Sequence, residues 1–172
     1  MTPSPVNPSP VASSAASSYP ASETYLLFRS GARLLALPTR QTRQVIPLGQ
    51  LSPLPASGGS LLGLMGAQGR AVPVVNLPTL LGHLLGGMDE AALQPDGTRL
   101  GLLCEHAGES LLLPIDEVIG NVSAELPAAQ SSAAQSSAPQ TLLQSAQLGD
   151  HLAALLSLNA LTVAIAGRLQ TA

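Results

Sequence analysis

Between Leu61 and Leu85 the chain reads LLGLMGAQGRAVPVVNLPTLLGHLL, and this stretch constrains the fold more than any other. A short apolar run, Leu61 to Met65, is broken by Gly66, Gln68 and Gly69 and resumes as Ala71 to Val75. Runs this short, punctuated by glycine, read as the two arms of a hairpin. β-Branched Val72, Val74 and Val75 suit a pleated surface. Asn76 follows, with a side chain that accepts a hydrogen bond from the first free amides of a helix. Leu77, Leu80, Leu81, Leu84 and Leu85 then recur at helical spacing, with Gly86 and Gly87 as a stop and Pro78 in the first turn, where its missing amide costs least. The stretch predicts strand, turn, strand and capped helix, and nothing in it is catalytic.

The same grammar runs through the rest of the chain. Thr24 to Phe28 and Arg33 to Leu37 predict a hairpin turning at Ser30 and Gly31. Pro38 to Arg40 suit a helical turn, Thr42 to Ile46 a third strand, and Pro47 to Ser60, with three prolines and three glycines, a loop. Asp89 to Gly97 is a connector. Arg99 to Glu105 and Ser110 to Ile115 predict two more strands, and Asp116 to Val122 a further strand or the bent end of one. After Gly149 and Asp150 comes another strand, then Asn159 as the cap of a last helix reaching Arg168. Residues 72–82 (VPVVNLPTLLG) and 155–167 (LLSLNALTVAIAG) share strand, Asn cap and apolar helix, which suggests two similar lobes. Residues 1–22 are rich in Pro, Ser and Ala and predict a disordered tail; residues 125–147, with a low-complexity Gln/Ser/Ala insert at about 126–145, carry no periodicity to which structure can be assigned. One domain is expected over residues 23–170.

Aromatic residues make up only 2% of the chain and Trp is absent, so Leu, Val and Ala fill the interior and a ring-lined pocket for a nucleotide or sugar is not expected. Charged residues are 10%, all seven basic ones are Arg, and the net charge is −3, which leaves no basic footprint for nucleic acid. A surface this poor in charge exposes apolar atoms, and contiguous exposed apolar surface marks a place where another protein sits. The single Cys104 forms no internal disulfide. No apolar stretch approaches the roughly 20 residues needed to cross a bilayer, and no signal peptide is evident at the N-terminus; a cytoplasmic address without membrane insertion is expected.

Cys104, Glu105 and His106 are adjacent, but neighbours in a strand point to opposite faces and do not converge on one ion. His83 and His151 complete no metal-binding spacing, no Ser lies in a GxSxG elbow, and the glycines from Gly63 to Gly69 form neither a dinucleotide fingerprint nor a P-loop. No catalytic, metal or cofactor site is expected, and Cys104 reads as a buried apolar side chain. The rival reading is a small metal-dependent enzyme or β-barrel hydrolase using His106, Cys104 or Asp116. Arg29, Arg33, Arg40, Arg43 and Arg70 gather in the first half, either as a solvated strand face or as a contact for an acidic partner.

The order of elements resembles the CheW family, the scaffold proteins of bacterial chemotaxis. The resemblance is carried by YLLF at 25–28, TRQVI at 42–46, LLGLMGAQGRAVPVVNL at 61–77 and LLLPIDEVIGNV at 111–122, and it extends from Glu23 to about Leu169. Gly63, Gly69, Arg70, Val72, Pro73, Val74, Val75 and Leu77 fit the family pattern GxxxxxGRxVPVVDL, and Asp116, Glu117 and Val118 fit its DEV. The resemblance implies a mainly β fold of two intertwined five-stranded β-barrel lobes sharing a core, with short helices closing each lobe. It further implies a non-catalytic adaptor that couples a CheA-type histidine kinase to the cytoplasmic tip of chemoreceptors. By this resemblance the partner-binding residues are Thr42, Arg43, Gln44, Gln68, Gly69 and Arg70. The family usually has Asn, Leu and Arg where this chain has Gly66, Ala67 and Gln68, Val and Glu where it has Thr42 and Gln44, and an Asp cap where it has Asn76. A third reading is therefore a CheW-like structural module that no longer binds receptor.

Overall fold

The computed structural model describes residues 2–3, 22–55, 59–82, 99–126 and 142–171. Chain order is β1 (Glu23–Ser30), β2 (Arg33–Pro38), a 3-10 turn (Thr39–Gln41), β3 (Thr42–Pro47), β4 (Leu61–Ala67), β5 (Arg70–Val75), α1 (Leu77–Leu81), β6 (Leu100–His106), β7 (Glu109–Ile115), β8 (Glu117–Ala124), β9 (Leu143–Leu148), β10 (His151–Leu156) and α2 (Leu158–Thr171). The predicted tail and most of the Gln/Ser/Ala insert lie outside the described residues, as do His83, Leu84, Leu85, the Gly86–Gly87 stop and the connector from Asp89 to Gly97.

The strands form two five-stranded sheets. Sheet A has the order β8-β1-β2-β10-β9 and sheet B the order β3-β6-β7-β5-β4. The expected pair of five-stranded lobes is present, but as open sheets rather than closed barrels: no strand pairing joins β8 to β9 or β3 to β4 among the described residues. Part of the β4 edge is instead occupied by Ser52, whose amide and carbonyl both bond Leu64 at 2.8 Å.

The two sheets have the same internal pairing. Hairpin β1–β2 answers to β6–β7, edge strand β8 to β3, and hairpin β9–β10 with α2 to β4–β5 with α1. The registers agree pair by pair: Phe28↔Val118 and Leu27↔Gly120 flank a bulge in sheet A, and Cys104↔Thr42 and Leu103↔Gln44 flank the corresponding bulge in sheet B. The parallel pairing of Leu155 with Ala36 is likewise matched by Val74 with Leu112. The chain is thus two copies of a five-stranded unit, residues 23–82 and 99–171, that have exchanged their N-terminal hairpins. Chain crossings between sheets occur at two equivalent places, Pro38–Thr42 and Pro114–Val118.

This arrangement explains the continuous apolar runs. Alternate residues of a strand face opposite sides, and here both sides are buried. Phe28, Leu35, Leu37, Leu102, Cys104, Leu111, Leu113, Val75 and Leu156 face a core shared by both sheets and both helices. Their neighbours Leu27, Ala36 and Ala153 fill the inside of sheet A, and Leu103, Leu112 and Val74 that of sheet B.

Three local expectations are corrected. Gly66 does not break its strand: β4 continues to Ala67 and the chain turns at Gln68–Gly69, both at positive φ (51° and 75°), the pairing that matches the twist of a two-residue hairpin. Of the two readings of Asp116 to Val122, the further strand is the one found, and it lies in the other sheet. β9 lies within the region left without structure, because an edge strand needs only one apolar face and Ala146 and Leu148 supply it. The last helix is capped by Ser157, whose Oγ accepts the Ala160 amide at 3.2 Å, not by Asn159. Ser157 occupies the place that Asn76 holds before α1, where Oδ1 accepts the Thr79 amide at 3.3 Å. The internal repeat seen in the sequence is real, but its register is two residues away from the Asn-to-Asn match.

Candidate protein-contact surface

In sheet B, β3, β5 and β7 run in one direction, so their first residues share one end of the sheet. That end collects all six expected contact residues: Thr42, Arg43 and Gln44 at the start of β3, Gln68 and Gly69 in the β4–β5 turn, and Arg70 at the start of β5. The structure does not make them one cluster. β6 and β7 stand between the two trios, three strand spacings or about 14 Å along the sheet, and the Ala107–Gly108 turn lies in the gap. All are exposed except Thr42, which is partly covered and donates through Oγ1 to the Thr39 carbonyl at 2.9 Å.

Two of the arginines differ in state. Arg43 Nε lies 2.9 Å from Glu105 Oε2 on the neighbouring strand, a surface pair of the kind that contributes about 0.2 to 1 kcal/mol. Arg70 has no ion-pair or hydrogen-bond partner among the described residues. Gln68 adopts a left-handed conformation at the turn and projects no charge. Nearby Glu109 also stands without a partner among the described residues, so this end mixes polar groups of both signs.

The equivalent end of sheet A carries the start of β8, the Gly31–Ala32 turn, Arg33 and the start of β10. There the chemistry is inverted. Thr42, Arg43 and Ala71 of sheet B are replaced by Val118, Ile119 and Leu152, which are 39%, 39% and 70% exposed. Glu105 and Glu109 are replaced by Arg29 and Arg33. Arg29 Nε is bound to Glu117 Oε1 at 2.8 Å, whereas Arg33 has no partner among the described residues. Reasoning from the sequence missed this apolar end, because Val118 and Leu152 sit within runs that look like core.

Away from these ends, burial acts on two titratable groups. Cys104 is buried, and burial pushes its thiol far above the ordinary range. Tyr25 is raised by burial first and then by the Glu23 carboxylate, whose Oε2 accepts its hydroxyl at 3.0 Å; Glu23 in turn pairs with Arg40. Among the described residues no group of three His, Cys, Asp or Glu side chains is placed to hold a metal ion. No helix among them is long and apolar enough to cross a membrane.

The fold is thus two open five-stranded sheets around a shared core. The family model of the CheW-like domain matches residues 24–165, and the chain belongs to that family. Among solved structures it is similar to the scaffolding protein TtCheW from Thermoanaerobacter tengcongensis, with a TM-score of 0.61 and 15% sequence identity over 84% of this chain and 90% of that one. Comparison with curated proteins gives no match.

Proposed function

We propose that this chain is a non-catalytic adaptor of a bacterial chemosensory pathway, serving chemotaxis or pilus-based motility. It acts in the cytoplasm by coupling a CheA-type histidine kinase to the cytoplasmic tip of chemoreceptors. The observation that carries this reading is the pair of equivalent sheet ends with opposite chemistry in a CheW-like chain: one scaffold offers two different partners two different surfaces. The polar end of sheet B, with Thr42, Arg43, Gln44, Gln68, Gly69 and Arg70, takes the kinase. The apolar end of sheet A, with Val118, Ile119 and Leu152 and with Arg33 between them, takes the receptor tip.

Pull-down of the CheA-type kinase encoded in the same genome tests the first contact. Binding at or below tens of micromolar supports the reading, and its absence there refutes it. Arg70→Glu is expected to weaken association with little change in melting temperature, since the side chain is exposed and unpaired; a large loss of thermal stability would instead make Arg70 structural.

A further inference from the structure

We infer that Asp116 is a positioning residue that holds the end of sheet A in its docking shape by clamping the β1–β2 turn across the crossing between the two sheets. Asp116 is the one residue between β7 of sheet B and β8 of sheet A. Its Oδ2 accepts the Gly31 amide at 2.6 Å, and its own amide donates to the Arg29 carbonyl at 2.8 Å. On either side, Ser30 Oγ donates to the Pro114 carbonyl at 3.4 Å and Glu117 holds Arg29. The turn of the exchanged hairpin is therefore tied at four points to the strand crossing, and the carboxylate makes the shortest of these hydrogen bonds. A hydrogen bond to a charged acceptor is among the stronger kinds available at a surface.

The internal duplication supplies a control within the molecule. At the other crossing the place of Asp116 is held by Arg40, and that of Gly31 by Ala107. A guanidinium has no acceptor to offer an amide, and Arg40 turns instead to Glu23. The clamp thus belongs to one crossing alone. It lies beside the exposed Val118, Ile119 and Arg33, so loosening it lets the Gly31 turn and the start of β8 move relative to each other while both cores stay packed.

The inference rests on the adaptor reading for its docking consequence but not for the clamp itself, and two measurements separate them. Amide hydrogen exchange of the full chain, followed by NMR, reads the clamp directly. Asp116→Ala is expected to speed exchange of the Gly31 amide about tenfold or more, the size expected for losing one charge-assisted bond. Asp116→Asn keeps an acceptor oxygen and is expected to recover most of that protection. Binding of a chemoreceptor-tip fragment from the same genome then reads the consequence: severalfold weaker for Asp116→Ala, near wild type for Asp116→Asn, and kinase binding unchanged in both. Unchanged Gly31 exchange in Asp116→Ala, or an Asn variant no better protected than Ala, overturns the clamp. Faster exchange with receptor-tip affinity intact overturns its positioning role. If the wild-type chain binds neither partner, the adaptor reading fails while the exchange data still decide the clamp.

Discussion

At Gly63 a Cβ atom would stand 2.5 Å from the Ser52 carbonyl oxygen, and the backbone sits at φ 150° beside the register shift in β4. Side chains rarely adopt that conformation, and here backbone rather than a yielding side chain blocks the space. Gly63→Ala is therefore expected to cost about 2 to 3 kcal/mol in urea unfolding. Gly66, three residues on with nothing within 4 Å of a built Cβ and no positive φ, is the control, and Gly66→Ala should stay within about 0.5 kcal/mol. Cys104 gives a second prediction. Burial keeps its thiol neutral in the fold, while the unfolded thiol ionises near about pH 8.5. The stability this represents is intact below that pH. Above it the unfolded chain releases a proton that the folded chain retains, so unfolding free energy falls by up to about 1.4 kcal/mol per pH unit. Cys104→Val lacks that term, and Tyr25 titrates in both proteins, so their stability curves under reducing conditions should separate in slope above pH ~8.5. Parallel curves would show that the thiol escapes its burial.

At the scale of elements, the caps Asn76 and Ser157 occupy equivalent places before α1 and α2 and accept the amide three residues on. Replacing either by Ala is expected to cost about 1 kcal/mol, measured by thermal or chemical unfolding. Nine of the ten strands and both helices were readable because glycine turns and apolar runs bound them in the sequence. β9 was not: its Leu-Gln-Ser-Ala-Gln-Leu continues the Gln/Ser/Ala composition of the preceding insert, and only the burial of Ala146 and Leu148 against Tyr25 and Leu27 distinguishes it. The cap before α2 was misplaced because Asn159 matches Asn76 in type while Ser157 matches it in position. The second repeat, LLALPTRQT at 34–42 against SLLLPIDEV at 110–118, escaped notice because only Leu and Pro survive between its copies while the charges reverse. The same reversal hid half of the candidate surface. Arg70, Arg43 and Gln44 were legible from the family pattern, whereas Val118 and Ile119 on β8 and Leu152 on β10, three strand spacings apart, are seen to share one end of sheet A only from the strand order.

For the molecule as a whole, the exchange of hairpins decides how stability is shared. Sheet A takes β1 and β2 from the first unit and β8 to β10 from the second; sheet B takes β3 to β5 from the first and β6 and β7 from the second. Neither unit can complete a sheet of its own in this arrangement, and the pairings that do so are distant in sequence, Leu27 with Gly120 and Leu35 with Ala154. Both sheets also pack one face against a shared core, opposite the face that each fills with its own cluster. The adaptor function proposed above requires the two sheet ends in fixed relation, and a core that neither sheet owns supplies it. Leu113, fully buried on β7 and facing that core, tests the coupling. Leu113→Ala removes packing from sheet B by sequence position and from sheet A by contact, and is expected to cost about 2 to 5 kcal/mol. If the core is held in common, the slowest-exchanging amides of β1 and β2 should lose the same free energy as those of β6 and β7, because they open only in the same global unfolding. Loss of protection confined to sheet B would show two lobes that unfold separately, and any fixed relation between the two sheet ends would then have to come from the crossings at Thr39–Gln41 and Asp116 alone.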